Sequence, residues 1–351
     1  MLASNNIARI FYIIPDLHQR TPFSLKALLK NIFRLKTINY LQKCFIRKHK
    51  PAGGIKVIYQ HCLLLRELGY SVHPVLMGEY HGNFFHYDIA TVKFKEIINT
   101  ITENDVVIAT EFAPYQGLLF KKATKILFLQ NWVGLIKWLK PEDKEKNYFQ
   151  LGYDSVITCS QYCSEYVEQH MKISATTITN GIDLFSFKPE PQKRIPNRIL
   201  AMSRKNLADL KIIKHFLNNS DYEIRIVDGL TQKQLIDEYQ SADIFLATGY
   251  PEGFSLPPLE AMACGCMVVG FTGGAGREFM LHNETALVAE DGDCQAVVEM
   301  LLALQAEPEK KETIRLQGLA KANDYGLKNT KLELDSFYQQ LINSSKNIKV
   351  N

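Results

Sequence analysis

Two glutamates, Glu252 and Glu260, are separated by seven residues in the string Glu252-Gly253-Phe254-Ser255-Leu256-Pro257-Pro258-Leu259-Glu260-Ala261-Met262-Ala263-Cys264-Gly265. The string reads as a loop running into a helix. Pro257 and Pro258 preset φ in the first helical turn, where a missing N–H costs little, and Gly265 ends the helix. Amides at such a start favour an anion or a row of sugar hydroxyls. A carboxylate on the loop and another in the first turn can face the same ligand. Carboxylates accept paired hydrogen bonds from vicinal hydroxyls, which suits a ribose or a hexose. Singly, Glu260 would merely suit the helix dipole and Glu252 would be solvated. The whole string is better explained by a ligand.

Such a loop needs strands to hold it. Residues 8–15 (ARIFYIIP) have the apolar, β-branched profile of a buried parallel strand. Similar runs lie at 71–78 (SVHPVLMG), 105–110 (DVVIAT), 125–130 (KILFLQ) and 155–160 (SVITCS). Between the first two, Gly53-Gly54 precedes a helical pattern of Ile58, Cys62, Leu65 and Leu68, stopped by Gly69. After the turn pair Asn180-Gly181 the alternation begins again, with strands at 198–203, 223–229, 243–248 and 266–271. This spacing predicts two doubly wound α/β domains that meet near the proline-rich stretch KPEPQKRIPN, with ligands held at the carboxyl ends of their strands. The expected boundaries are 1–182, 183–326, and a closing helix in 327–351 that packs back on the first domain.

A chain of 351 residues suits two domains, and 46% hydrophobic with 22% charged residues is a globular balance. No apolar run is long enough to span a bilayer, and the N-terminus lacks a signal-peptide pattern, so a cytosolic protein is expected. Seven cysteines cannot all pair within the chain, and neither Cys159/Cys163 nor Cys264/Cys266 has histidines at ligand spacing; reduced, buried thiols are expected. The net charge of +4 is uneven. From Leu17 to Lys50 there are nine Lys or Arg and no Asp or Glu, leaving the remainder near −5. A nucleic-acid binder would not distribute its charge this way.

EGFSLPPLEAMACG resembles the signature of the family 4 retaining glycosyltransferases, also called glycosyl transferases group 1, which have the GT-B architecture of two Rossmann-like domains facing a central cleft. The resemblance covers nearly all of the chain outside 17–50. It implies that Glu252 contacts the donor sugar, that the amides of Gly253, Phe254, Ser255 and Leu256 line sugar and diphosphate, and that Glu260 holds the ribose. It further implies that Gly53-Gly54 is the first-domain glycine loop, that Arg204 binds the donor diphosphate, and that Lys205 or Lys211 is its lysine partner. TNGID at 179–183 is similar to the family's interdomain segment. No metal or other cofactor is expected, with Arg204 and helix-end amides stabilising the leaving diphosphate. The implied partners are a nucleotide-diphosphate sugar and a glycan or lipid-linked acceptor.

Two departures stand out. Many family members carry a histidine after the fourth strand of the first domain; here Gln130-Asn131-Trp132 stands there, and Asn131 is the candidate sugar or acceptor contact. The second departure is the basic insertion 17–50. In it Leu25, Leu28, Leu29 and Ile32 form a helical stripe opposite Lys26, Lys30 and Arg34, and Leu41, Phe45 and Ile46 lie opposite Lys43 and Arg47. Peripheral docking on an anionic inner membrane face and packing on the first domain both fit this pattern.

Other classes fit less well. A dinucleotide oxidoreductase needs GxGxxG after its first strand, and Gly274-Ala275-Gly276-Arg277-Glu278-Phe279 has Phe in the third glycine position. No P-loop Gly-Lys-Ser/Thr is present. The competing readings are a non-catalytic sugar-nucleotide-binding partner and another GT-B enzyme such as a nucleotide-sugar epimerase.

Overall fold

The computed structural model describes residues 9–15, 24–33, 37, 41, 53–78, 87 and 89–348. Seven parallel strands form the first sheet: β1 (Ile10–Ile14), β2 (Val72–Leu76), β3 (Val92–Lys93), β4 (Val106–Thr110), β5 (Thr124–Leu129), β6 (Ser155–Thr158) and β7 (Thr176–Thr177), in the order β3-β2-β1-β4-β5-β6-β7. Five more form the second: β8 (Arg198–Met202), β9 (Glu223–Val227), β10 (Ile244–Ala247), β11 (Met267–Phe271) and β12 (Leu287–Ala289), ordered β12-β11-β10-β8-β9. All pairings are parallel, which forces a crossover after each strand and explains the alternation with helices. Every residue of β1, β4 and β11 is buried, as continuous apolar runs in a covered sheet should be.

The nine expected strands coincide with β1, β2, β4, β5, β6, β8, β9, β10 and β11. Strands β3, β7 and β12 went unseen because runs of two or three residues carry no periodic signal. Leu200, Phe245 and Val268 belong to an apolar cluster continuous with the core of the first sheet, whereas Ile199, Ile244, Met267 and Val269 belong to a separate one. Alternate residues of β8, β10 and β11 thus feed opposite faces of the second sheet.

The last helix, Leu327–Ile348, leaves the second domain and packs on the first. Tyr338 is fully buried, its hydroxyl 3.3 Å from that of Tyr12 on β1. The Glu333 carboxylate accepts the Thr179 N–H at 2.6 Å, and Lys331 pairs with Glu67 at 2.8 Å. Among the described residues no helix is long and apolar enough to cross a membrane. Because Tyr338 fills the junction between the last helix and β1, Tyr338→Ala should cost about 3 kcal/mol of unfolding free energy in a denaturant titration; a cost under about 1 kcal/mol would mean that the helix is not part of the first domain's core.

Candidate functional site

The carboxyl ends of both sheets face one cleft enclosing about 550 Å³. Its first-domain wall carries Gly53, Gly54, Lys56, Thr110, Gln130, Asn131 and Asn180; its second-domain wall carries Arg204, Lys205, Gln232, Glu252, Phe254, Ser255, Leu256 and Glu260. Strand ends of parallel sheets are where such folds bind ligands. The residues singled out in the sequence therefore converge, with two exceptions: Gly253 is packed against Gln130 and Asn131 and does not line the cleft, and neither does Lys211. Lys211 lies on the helix Leu207–Phe216 between buried Leu210 and Ile213, a position that faces solvent; it is exposed and outside the cleft wall. Lys205 is the lysine beside Arg204 in the cleft.

The glutamate loop is clamped from both sides. On its own domain, the Glu252 N–H donates to Gly273 O at 2.7 Å and the Ser255 hydroxyl to Thr272 O at 2.9 Å. From the first domain, Ser160 donates to Gly253 O at 2.7 Å, and the thiols of Cys159 and Cys163 reach the same carbonyl at 3.3 and 3.4 Å. A Cβ on Gly253 would sit 2.1 Å from Gln130 O and 2.5 Å from the Asn131 Cα, so only glycine permits this approach of two backbones. At Gly54, a Cβ would meet the Gln130 side chain. The helix that follows, Leu256–Ala263, differs in one respect from the expected amide-rich anion site. Two of its first positions are prolines, and the Leu256 N–H donates to Phe254 O at 3.0 Å. Of the preceding loop's expected amide donors, Phe254 and Ser255 line the cleft and Gly253 does not.

Charges on the cleft walls compensate one another. Lys205 pairs with Glu252 at 2.7 Å and donates to Pro251 O at 2.8 Å. The Arg204-Lys205 turn is held to the glutamate strand by Asn206, whose amide donates to Thr248 O at 3.0 Å and Tyr250 O at 2.9 Å. Arg204 lies exposed on the cleft wall. Glu260 is buried; Lys56 donates to one of its oxygens at 2.7 Å and Tyr239 to the other at 3.3 Å. Asn131 spans the domains weakly: its amide group reaches Pro251 O at 3.4 Å while its oxygen accepts the Val133 N–H at 3.0 Å. Among the described residues no group of three or more His, Cys, Asp or Glu could hold a metal ion.

Sequence reasoning missed Lys56, Thr110, Gln130, Asn180 and Gln232. The last four carry buried polar atoms (Thr110 Oγ1, Gln130 Nε2, Asn180 Oδ1 and Gln232 Oε1) that have no hydrogen-bond partner within the chain. Buried polar atoms are normally paired, and the four residues that carry these all line the one cleft. Their signal in the sequence was position alone: Thr110 ends β4, and Gln130 follows β5. The six cysteines of the described residues are buried and unpaired with one another.

Residues 197–307, from just before β8 to the end of the helix Cys294–Ala306, match the family described as Glycosyl transferases group 1. The chain is 24% identical over 250 residues, 66% of its length and 72% of the relative's, to an alpha-1,6-glucosyltransferase of Actinobacillus pleuropneumoniae. Sucrose-phosphate synthase from Thermosynechococcus elongatus superposes with a TM-score of 0.64 at 14% identity, over 96% of this chain and 99% of that one. Anabaena Alr3699/HepE in complex with UDP-glucose superposes with a TM-score of 0.64 at 14% identity, over 95% and 99%. The described residues have the GT-B architecture.

Behind Gln130, the carboxyl of Glu111 accepts the Gln130 N–H at 3.1 Å and is otherwise sealed from solvent. Burial pushes its titration up to about 8, the backbone N–H opposing this only in part. In the unfolded chain a glutamate titrates near 4.3, at about its ordinary value. Between these values the folded protein holds a proton that the unfolded chain has lost, so stability falls as pH rises through this window and levels off above it. Glu111→Gln stays neutral, and its melting temperature should gain steadily on that of the wild type from pH 5 to pH 8. A constant difference across that range would contradict a neutral buried acid.

Proposed function

We propose that this protein is a retaining glycosyltransferase that moves a sugar from a nucleoside-diphosphate donor to an acceptor hydroxyl in glycan, polysaccharide or glycolipid assembly. One observation carries the reading: Arg204, Lys205, Glu252 and Glu260, from the segment that matches Glycosyl transferases group 1, share a single cleft with the Gly53-Gly54 helix start of the opposite domain. In this reading Glu260 accepts the ribose hydroxyls, and Glu252 accepts hydroxyls of the donor sugar, exchanging its contact with Lys205 for them. Arg204, Lys205 and the loop amides carry the negative charge that develops on the leaving diphosphate, with no metal ion required. The bond from the anomeric carbon to the diphosphate oxygen breaks as the bond to the acceptor oxygen forms. The electron pair leaves with the diphosphate, and the acceptor's proton passes to a donor phosphate oxygen. Retention is supported by the resemblance of the glutamate string. The unpaired groups of Thr110, Gln130 and Asn180, together with Asn131, suit sugar or acceptor hydroxyls, which both donate and accept. Closure of the two domains keeps water from the donor.

The test is a thermal-shift panel of UDP-, GDP-, dTDP- and ADP-sugars, followed by a transfer assay in EDTA. One donor should raise the melting temperature by mass action, and Glu260→Ala should remove most of that rise. Transfer should persist in EDTA, and Arg204→Ala should slow it about 10²- to 10³-fold. Wild-type turnover by Arg204→Ala would withdraw its role. Binding without transfer or hydrolysis would favour a non-catalytic sugar-nucleotide-binding partner, and an epimerised donor would favour an epimerase.

The basic insertion bears on the acceptor. In the helix Leu25–Phe33, Leu25, Leu29 and Ile32 are 66, 51 and 47% exposed beside exposed Lys26 and Lys30, while Leu28 is half-buried. Arg34 and residues 43–47 lie outside the described residues. A basic helix with an outward apolar face fits an anionic lipid surface, each surface cation adding about 1 kcal/mol, and would bring the cleft to a lipid-linked acceptor. Wild-type protein should float with anionic vesicles but not with zwitterionic ones, and the Leu25→Ser, Leu29→Ser, Ile32→Ser triple variant should not float. Equal flotation of the two proteins would end the membrane reading.

A further inference from the structure

Lys56 and Glu260 stand 204 residues apart in sequence and on opposite walls of the cleft, yet Lys56 Nζ lies 2.7 Å from Glu260 Oε1. The side chains are only 9 and 5% exposed, so this is a buried ion pair between domains. Lys56 comes from the first turn of the helix Gly53–Glu67, directly behind the glycine pair, and its ammonium lies 4.8 Å from the centre of the Phe187 ring on the interdomain segment. Phe187 also lines the cleft, so the cation is held between an aromatic face and a carboxylate at the edge of the ligand space. On its own domain Glu260 has only the Tyr239 hydroxyl at 3.3 Å.

A carboxylate this deep is costly unless its charge is compensated. The second domain supplies one neutral donor at a long distance; the compensating cation comes from the first. A carboxylate can accept a diol and an ammonium together, since its two oxygens offer about four lone-pair directions. Holding one oxygen from the side leaves the remaining directions for hydroxyls entering from the cleft.

We infer that Lys56 is a positioning residue of the nucleotide site, acting through Glu260: it compensates the buried carboxylate and orients it for the ribose diol, so that the ribose subsite is complete only when the two domains are closed on each other. The inference rests on the reading of Glu260 as the hydroxyl-binding carboxylate. It assigns the first domain a part in nucleotide recognition as well as in holding the acceptor. Selectivity for a ribose over a 2′-deoxyribose should then depend on a residue that touches neither sugar.

The experiment measures, by calorimetry, the dissociation constants of UDP, GDP and ADP and of their 2′-deoxy counterparts for the wild type, K56M, E260Q and the K56M/E260Q double variant. The wild type should prefer the ribonucleotide it binds over its 2′-deoxy form by about tenfold or more, the scale of a hydrogen bond to a charged group. In K56M that preference should fall to within about threefold, as in E260Q, and the double variant should bind no more weakly than E260Q. Equal weakening of both nucleotides by K56M would make the pair a simple clamp and overturn the inference, as would unchanged binding. Should K56M alone not fold, the double variant removes both charges at once and still decides. If it binds the nucleotide more than about threefold more weakly than E260Q at equal thermal stability, Lys56 contacts the ligand directly and the inference fails. A wild type that binds none of these nucleotides would instead sink the proposed function, and this inference with it.

Discussion

At Gly253 the two domains approach backbone to backbone, and the rest of the site depends on this contact. No side chain could occupy that point, because the Gln130 carbonyl already fills the volume of a Cβ. The carbonyl of Gly253 accepts from Ser160 across the boundary while the flanking residues Glu252 and Ser255 are tied to the strand-end loop at Thr272–Gly273. A loop fixed by main-chain contacts on both sides presents its carboxylate and amides in a set direction, the condition for electrostatic stabilisation without reorganisation. The same contact brings Gln130 and Asn131 against the second-domain wall of the cleft.

Charge placement follows from this closure. Each acidic group proposed to meet the donor faces a lysine: Glu252 faces Lys205 within its own domain, and Glu260 faces Lys56 from the other. The two pairs differ in exposure, and the difference has consequences. The Lys205–Glu252 pair is partly solvated, so its exchange for ligand contacts costs little. The Lys56–Glu260 pair is nearly dry, and losing one member leaves the other stranded. The exposed Arg204 stands at the same cleft.

Much of this was legible before any coordinates. The long apolar runs located nine strands, because burial on both faces of a parallel sheet demands continuous hydrophobicity. Gly69 and Gly265, both at positive φ, marked helix ends for the reason glycine usually does. The helix after Ser255 was legible from its prolines. Which of Lys205 and Lys211 lies in the cleft was not, since it depends on which face of the helix Leu207–Phe216 meets the core. Nor was the fate of the Leu256 amide, which a tight local turn diverts to Phe254. Strands of two or three residues escaped because they owe their existence to neighbours instead of to their own pattern.

By itself the sequence determined the longer local elements: which apolar runs are strands, where several helices begin and end, and that a loop with two carboxylates enters a helix. Those properties arise from periodicity, φ preferences and capping, which act over a few residues. Tertiary structure alone decided the pairings between residues far apart in the chain. That Lys56 meets Glu260, that Ser160 holds Gly253, and that Thr110, Gln130, Asn180 and Gln232 line one space are outcomes of two sheets closing on each other. Contacts of that kind have no local pattern in the sequence, because the distance that matters to them is measured through space.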